Sequence, residues 1–216
     1  MTTLPPLFSD RAEAGRLLAE RLATMGLKDV IVYALPRGGV PVAAEVARRL
    51  QAPLDLALVR KIGAPGNPEV AVAAVIDGDH PRMVVNDTVL RVSGAGPEWL
   101  EREAARELAE IERRRRLYFG GRKRPDPKGR AVVVVDDGLA TGATAKAAIR
   151  GLKGLGVARL ILAVPVAPPD TVAEIASEVD DVICLAEPAE FPGVGAFYLD
   201  FHQLSDDEVL ALLEPA

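Results

Sequence analysis

The chain is poor in several things, and each scarcity excludes something. It has one cysteine, Cys184, so no intramolecular disulfide can form and a reducing compartment, the cytoplasm, is expected. That cysteine lies in the apolar run Val182-Ile183-Cys184-Leu185, a setting for a buried core thiol rather than a nucleophile. Two histidines, His80 and His202, could in principle move protons, but each stands isolated in sequence. No apolar run approaches the roughly 18 residues that cross a bilayer, and Met1 to Asp10 shows no basic-then-apolar leader pattern, so no membrane partner is expected. Positive charge is not in excess: 26 Lys and Arg face 31 Asp and Glu, a net charge of −5. That opposes general affinity for nucleic-acid backbones while leaving room for a local basic pocket. Asn67, Asn86, Gln51 and Gln203 are the only side-chain amides.

What is present describes an ordinary globular protein, 49% hydrophobic and 26% charged over 216 residues, enough for one sizeable core. Ser9 or Asp10 can cap a helix through Leu22, with Gly26 as a stop signal. Val30 to Leu35 is a continuous apolar run of strand length, followed by the short loop Pro36-Arg37-Gly38-Gly39, a helical pattern to Leu50 and a second strand, Leu54 to Val59. This is one βαβ unit. From Lys61 to Ser93 the pattern breaks up. It reads as an excursion with a long mobile loop around Lys61 to Glu69 and then antiparallel ribbon at 70–76, 83–85 and 89–92. A long helix from Glu98 to about Tyr118 follows. Its Arg113-Arg114-Arg115-Arg116 run, with Glu107, Glu110 and Glu112 in reach, reads as a salt-bridged face rather than a nucleic-acid patch. After a basic linker the βαβ rhythm resumes, with strands at 131–135, 160–166 and 182–185. Five parallel strands with intervening helices make an α/β, doubly wound sheet, and Ser205 to Glu208 caps a last short helix.

The chemistry concentrates in Val132-Val133-Val134-Val135-Asp136-Asp137-Gly138-Leu139-Ala140-Thr141-Gly142-Ala143-Thr144. Four valines build a buried strand, and two carboxylates sit where it leaves the sheet, the end at which such folds bind ligands. Thr141 to Thr144 opens the next helix, whose free amides and positive dipole end suit a phosphate. Two acids beside an anion cradle make sense if they accept hydrogen bonds from a vicinal diol, which points to a ribose phosphate. On the residues alone, a simple turn with a helix cap stays open.

This segment is similar to the phosphoribosylpyrophosphate-binding signature of type I phosphoribosyltransferases, over all thirteen positions. The resemblance implies that Asp136 and Asp137 meet the ribose hydroxyls directly or through Mg²⁺, and that Ala140, Thr141, Gly142, Ala143 and Thr144 hold the 5-phosphate. Pro36 to Gly39 resembles the family's pyrophosphate loop, with Arg37, Gly38 and Gly39 at the leaving group. Arg60 and Lys61, read at the end of the second strand, resemble the basic pair that meets pyrophosphate in orotate phosphoribosyltransferases. By the same likeness 1–216 is one domain, with a core at about 26–185, a flexible loop within 61–93 and a hood from about 1–25 and 186–216. The stretch Phe191 to Asp200 resembles loosely the tail of the 6-oxopurine enzymes, which makes Phe191 a candidate for stacking on the base and Asp200 a candidate neighbour of Mg²⁺. Core packing of Phe197, Tyr198 and Phe201 is the competing reading. Ala140 departs from those enzymes, which carry an Asp there; the general base they use is lacking. The implied reaction joins phosphoribosylpyrophosphate to a small-molecule acceptor in what is expected to be a homodimer. The alternative is a regulatory sensor of the same fold that binds without turnover.

Overall fold

The computed structural model describes residues 5–77, 81–120 and 124–213. In chain order the elements are α1 (Arg11–Ala23), β1 (Val30–Ala34), α2 (Gly39–Leu50), β2 (Leu54–Leu56), β3 (Val59–Ala64), β4 (Asn67–Ile76), β5 (Arg82–Val85), α3 (Asp87–Ser93) and α4 (Pro97–Phe119). Then follow β6 (Ala131–Val135), α5 (Ala143–Lys153), β7 (Arg159–Val166), α6 (Pro169–Ala176), β8 (Asp181–Ala186), a 3₁₀ turn (Val194–Phe197) and α7 (Asp206–Leu213). They fall into two compact units, Met1–Leu56 with Arg124–Ala216, and Ala57–Lys123.

The first unit is built on a parallel sheet in the order β2-β1-β6-β7-β8. From β1 the chain steps outward to β2, whereas β6 steps the other way to β7 and β8. Right-handed crossovers in opposite directions put α2 on one face and α5 and α6 on the other. The neighbours β1 and β6, paired from Val30↔Ala131 to Ala34↔Val135, therefore flank the switch point of the sheet. Covered on both faces, these strands are apolar throughout: Val132, Val133, Val134 and Val135 have no exposed surface. Each buried valine contributes about 1.5–3 kcal/mol of hydrophobic stabilisation. Asp10 caps α1 by accepting from the Glu13 amide at 2.7 Å, and α1 packs along α2. Asp55, 1% exposed on β2, accepts from Nε of Arg124 at 2.9 Å, and the same guanidinium donates to the Leu56 carbonyl at 3.0 Å. Near the C-terminus, Glu208 and Ser205 cap α7 reciprocally: the Ser205 amide donates to Glu208 Oε2 at 2.8 Å and the Glu208 amide to Ser205 Oγ at 3.2 Å.

The second unit is a three-stranded antiparallel sheet, β3-β4-β5, with α3 and α4. Here the sequence expectation needs three corrections. The strand expected over 54–59 stops at Leu56, and Val59 begins a different sheet. Lys61 to Glu69 is not a loop: β3 and β4 pair from Val59↔Ile76 to Ala64↔Asn67 around a tight turn at Pro65-Gly66. Gly66, at φ +74°, supplies the left-handed conformation the turn requires. The run 89–92 is helical, because Asn86 caps α3 by accepting from the Val89 amide and Gly94 closes it at φ 73°. On α4, Arg113 and Arg114 pair with Glu110 at 2.8 Å, Arg116 with Glu112 at 3.1 Å and Arg115 with Asp77 at 3.7 Å. The arginine run is a salt-bridged face, as its spacing indicated.

Candidate active site

At the switch point two loops run side by side. Residues 35–39 leave β1 and residues 136–142 leave β6, joined where the Leu35 amide donates to the Val135 carbonyl at 2.9 Å. The approach is close enough to dictate glycine. A Cβ on Gly38 would stand 2.1 Å from Oδ2 of Asp137, and one on Gly39 would stand 2.6 Å from the Val135 carbonyl and 2.8 Å from Cα of Asp136. The Pro36–Arg37 peptide is cis. Arg37, Gly38 and Asp137 line one cleft of about 350 Å³ with Arg11, Phe201, His202, Gln203 and Leu204. The structure thus brings the acid pair and the Arg37 loop together, as the sequence implied.

The two acids are not equivalent. Asp136 is partly accessible, and its Oδ1 accepts the Asp137 amide at 2.9 Å. Asp137 is buried, 8% exposed. Its Oδ2 takes Nε of Arg11 at 2.8 Å, and its carbonyl takes the Tyr198 hydroxyl at 2.6 Å. Burial and the charge of Asp137 raise the Asp136 carboxyl well above the ordinary range. Burial raises Asp137 as well, and Arg11 opposes the rise. A pair held this way favours hydroxyl donors or a cation that relieves its mutual repulsion.

Past the acids, Gly142 at φ +66° precedes the first turn of α5. A Cβ there would meet Ile175 Cδ1 at 2.8 Å, so both backbone and packing select glycine. Thr141 is exposed, and Thr171 Oγ1 fastens the loop by donating to the Ala140 carbonyl at 2.8 Å. The amides opening α5 lack helical acceptors by construction, an arrangement able to receive an anion.

Arg60 and Lys61 lie inside β3 of the second unit rather than at the end of β2, and Arg60 Nε is committed to Glu107 at 2.6 Å. Phe191 packs on Phe197 with ring centroids 5.2 Å apart, at the edge of the cluster of Phe8, Ala14, Val166, Phe197 and Tyr198. Asp200 Oδ1 accepts from the His202 amide at 3.1 Å and faces Nδ1 of the same residue, while Nε2 of His202 faces Glu208 at 2.9 Å. These carboxylates raise the His202 imidazole, with the Glu208 hydrogen bond the largest cause. Cys184, expected to be a buried core thiol, is only half-buried; it donates to the Ala186 carbonyl, and partial burial pushes its thiol up to about 11, which keeps it protonated. His80 lies outside the described residues. Sequence reasoning missed Arg11, Tyr198 and Gln203; only Arg11 carries a signal, a cation at the first position of a helix, where the dipole disfavours it.

An open parallel sheet carrying paired acids, a Gly-rich basic loop and a helix start at its switch point defines a doubly wound α/β protein with a crevice at the carboxyl ends of its strands. The family is definite. The model of the phosphoribosyl transferase domain matches residues 10–195, and the chain belongs to that family. Two curated relatives, named "Putative phosphoribosyl transferase Rv0571c" and "Putative phosphoribosyl transferase MT0597", come from two strains of Mycobacterium tuberculosis. Both are 49% identical over 210 residues, 97% of this chain. The chain spans about half the length of these relatives, 47%. The solved structure of TT1426 from Thermus thermophilus is similar at 48% identity with a TM-score of 0.85, covering 95% of this chain and 97% of that one. Among the described residues no helix is long and apolar enough to cross a membrane.

Proposed function

We propose that the chain transfers the 5-phosphoribosyl group of phosphoribosylpyrophosphate to a nitrogenous base or related nucleophile and releases pyrophosphate. The observation that supports it is the contact of the acid pair with the Arg37-Gly38-Gly39 loop at the carboxyl end of β6, directly before the anion cradle of α5. In this reading the 5-phosphate is held by Ala140 to Thr144, the sugar hydroxyls by Asp136 and Asp137, and pyrophosphate by Arg37 and the Gly38 amide, the Gly39 amide being committed to the Leu35 carbonyl at 3.0 Å. The C1–oxygen bond breaks with pyrophosphate taking the electron pair, and the acceptor nitrogen attacks an oxocarbenium-like centre. Arg37 stabilises charge gathering on the leaving oxygen, while the cradle and acids fix the sugar for attack.

Mg²⁺ fits as a companion of the substrate rather than a resident ion. Among the described residues no three His, Cys, Asp or Glu side chains form a metal-binding group. Two carboxylates with substrate oxygens completing the shell suit Mg²⁺. Asp136 and Asp137 would hold it, and when bound it neutralises pyrophosphate charge. Asp200, whose Oδ1 faces His202, is the weaker candidate of the three for the ion. The test is a screen of bases for pyrophosphate release from phosphoribosylpyrophosphate with Mg²⁺; a base that drives release identifies the acceptor. Tight binding of phosphoribosylpyrophosphate with no release for any base would replace the transferase reading with that of a sensor.

A further inference from the structure

Arg11 is the least expected group in the cleft. It occupies the first position of α1, where the positive end of the helix dipole repels a cation, and it is only 7% exposed, where an unpaired charge is costly. Three interactions offset this. Nε donates to Asp137 Oδ2 at 2.8 Å, a terminal nitrogen donates to the His202 carbonyl at 3.0 Å, and the guanidinium lies 3.9 Å over the Phe201 ring. The partners sit 126 and 191 residues further along the chain. A lysine could not serve two acceptors in fixed directions and also stack flat on a ring. The rest of Asp137 is fixed too, its amide by Asp136 and its carbonyl by Tyr198. Oδ1 takes no side-chain hydrogen bond from the described residues, and Asp137 lines the cleft.

We propose that Arg11 is a positioning residue for sugar recognition: it occupies one oxygen of Asp137, turns the other toward the ribose hydroxyls, and ties the 201–202 segment of the cleft wall to that same acid. The inference rests on the ribose-phosphate reading of the site. It gives Asp137 one oxygen for the sugar rather than two. It also gives the cleft a keystone outside the signature segment, since α1, the end of β6 and the chain after Tyr198 meet at one guanidinium. Phe201 is then part of that keystone. One face of its ring carries Arg11, and Gly195 is close enough that a Cβ would stand 2.8 Å from Phe201 Cδ1.

The experiment compares ribose 5-phosphate with 2,3-dideoxyribose 5-phosphate by calorimetric titration in the wild type, Arg11→Ala and Arg11→Lys, with thermal unfolding of each protein alongside. The two ligands share the phosphate and differ only in the hydroxyls the acids read. The wild type prefers the ribose ligand by about tenfold or more, the effect of a hydrogen bond to a charged group. In Arg11→Ala the preference falls toward one while the dideoxy ligand binds as before, and guanidinium ion added to this variant restores the preference. Arg11→Lys, which keeps the charge and serves as the test should the alanine variant not fold, loses most of the preference. A purely structural role would weaken both ligands in parallel, so a wild-type preference retained in full by either variant overturns the assignment of Arg11. A wild type that does not distinguish the two ligands overturns the ribose reading itself.

Discussion

Replacing Gly38 by alanine sets two effects of opposite sign against each other. Gly38 has φ −58° and ψ −39°, ordinary right-handed values, so backbone preference alone favours alanine by about 0.4–1 kcal/mol. Packing opposes it. The new Cβ would stand 2.1 Å from Oδ2 and 2.6 Å from Cγ of Asp137, so the carboxylate must move. That carboxylate is no loose end, being buried and held by Arg11 at 2.8 Å. Displacing it loses a hydrogen bond to a charged group, about 1.5–3 kcal/mol. Overpacking adds about 1–3 kcal/mol. Packing wins, and Gly38→Ala is expected to lose about 2–5 kcal/mol. For a chain of this size that corresponds to a Tm lowered by about 4–20 °C. Urea and thermal unfolding read the loss, and titration with ribose 5-phosphate reads the displaced acid as weaker binding. A variant that melts at or above the wild-type temperature would refute the close approach of the two loops.

The remaining predictions separate the roles within the site. Asp136→Asn is expected to cut affinity for phosphoribosylpyrophosphate with little change in stability, whereas Asp137→Asn also weakens the partner of a buried guanidinium and costs about 1–3 kcal/mol; calorimetry and denaturation distinguish them, and equal stabilities would contradict the asymmetry. Arg37→Ala should lower kcat on the order of 10²–10³ with the identified acceptor while ribose 5-phosphate binds normally, because its charge is used at the leaving group; an unchanged rate removes Arg37 from the mechanism. His202 should titrate above its ordinary value of about 6.5 by proton NMR, since Glu208 and Asp200 stabilise the imidazolium. Its raised value means this clamp contributes fully below pH about 6.5 and is lost as pH rises through the folded value. The acid limb comes from Glu208, held down at about 2 by Ser205 and His202, whose contribution is present above the ordinary carboxylate value and lost as pH falls toward 2. A His202 resonance that titrates at or below 6.5 contradicts the clamp.

The parallel sheet was legible because strands covered on both faces must be apolar without interruption, and Val132 to Val135 could hardly be anything else. Asp136 and Asp137 were legible for the complementary reason, two charges placed where such a strand ends. The second unit was harder. The pairing of Val59 with Ile76 joins residues far enough apart that local composition, rich in Gly and Pro, reads as loop. In α3 the β-branched Val89 and Val92 argue for a strand, and the helix is decided by Asn86 and Gly94 at its ends. Among 20 arginines Arg11 shows only the local signal of a cation opening a helix, and its role depends on a partner 126 residues away that this signal does not name. The aromatic tail divided as packing required: Phe197 and Tyr198 entered the core and Phe201 met a cation.

The bond from Arg124 to Asp55 and Leu56 has a consequence for modularity. The chain leaves the parallel sheet after Leu56 and returns to that unit at Arg124, and the guanidinium of the returning residue touches the last residue before departure. The first unit is thus fastened across its own gap in sequence, the last residue before the 57–123 segment being bonded to the first residue after it. Closing a short linker across such a gap costs less than closing a long one, by only about 0.6 kcal/mol per halving of length, so connectivity places little constraint on the length of chain between the two ends. A strand edge whose entry and exit are already fastened to each other can accept segments of very different length, or almost none, without disturbing the acids at β6.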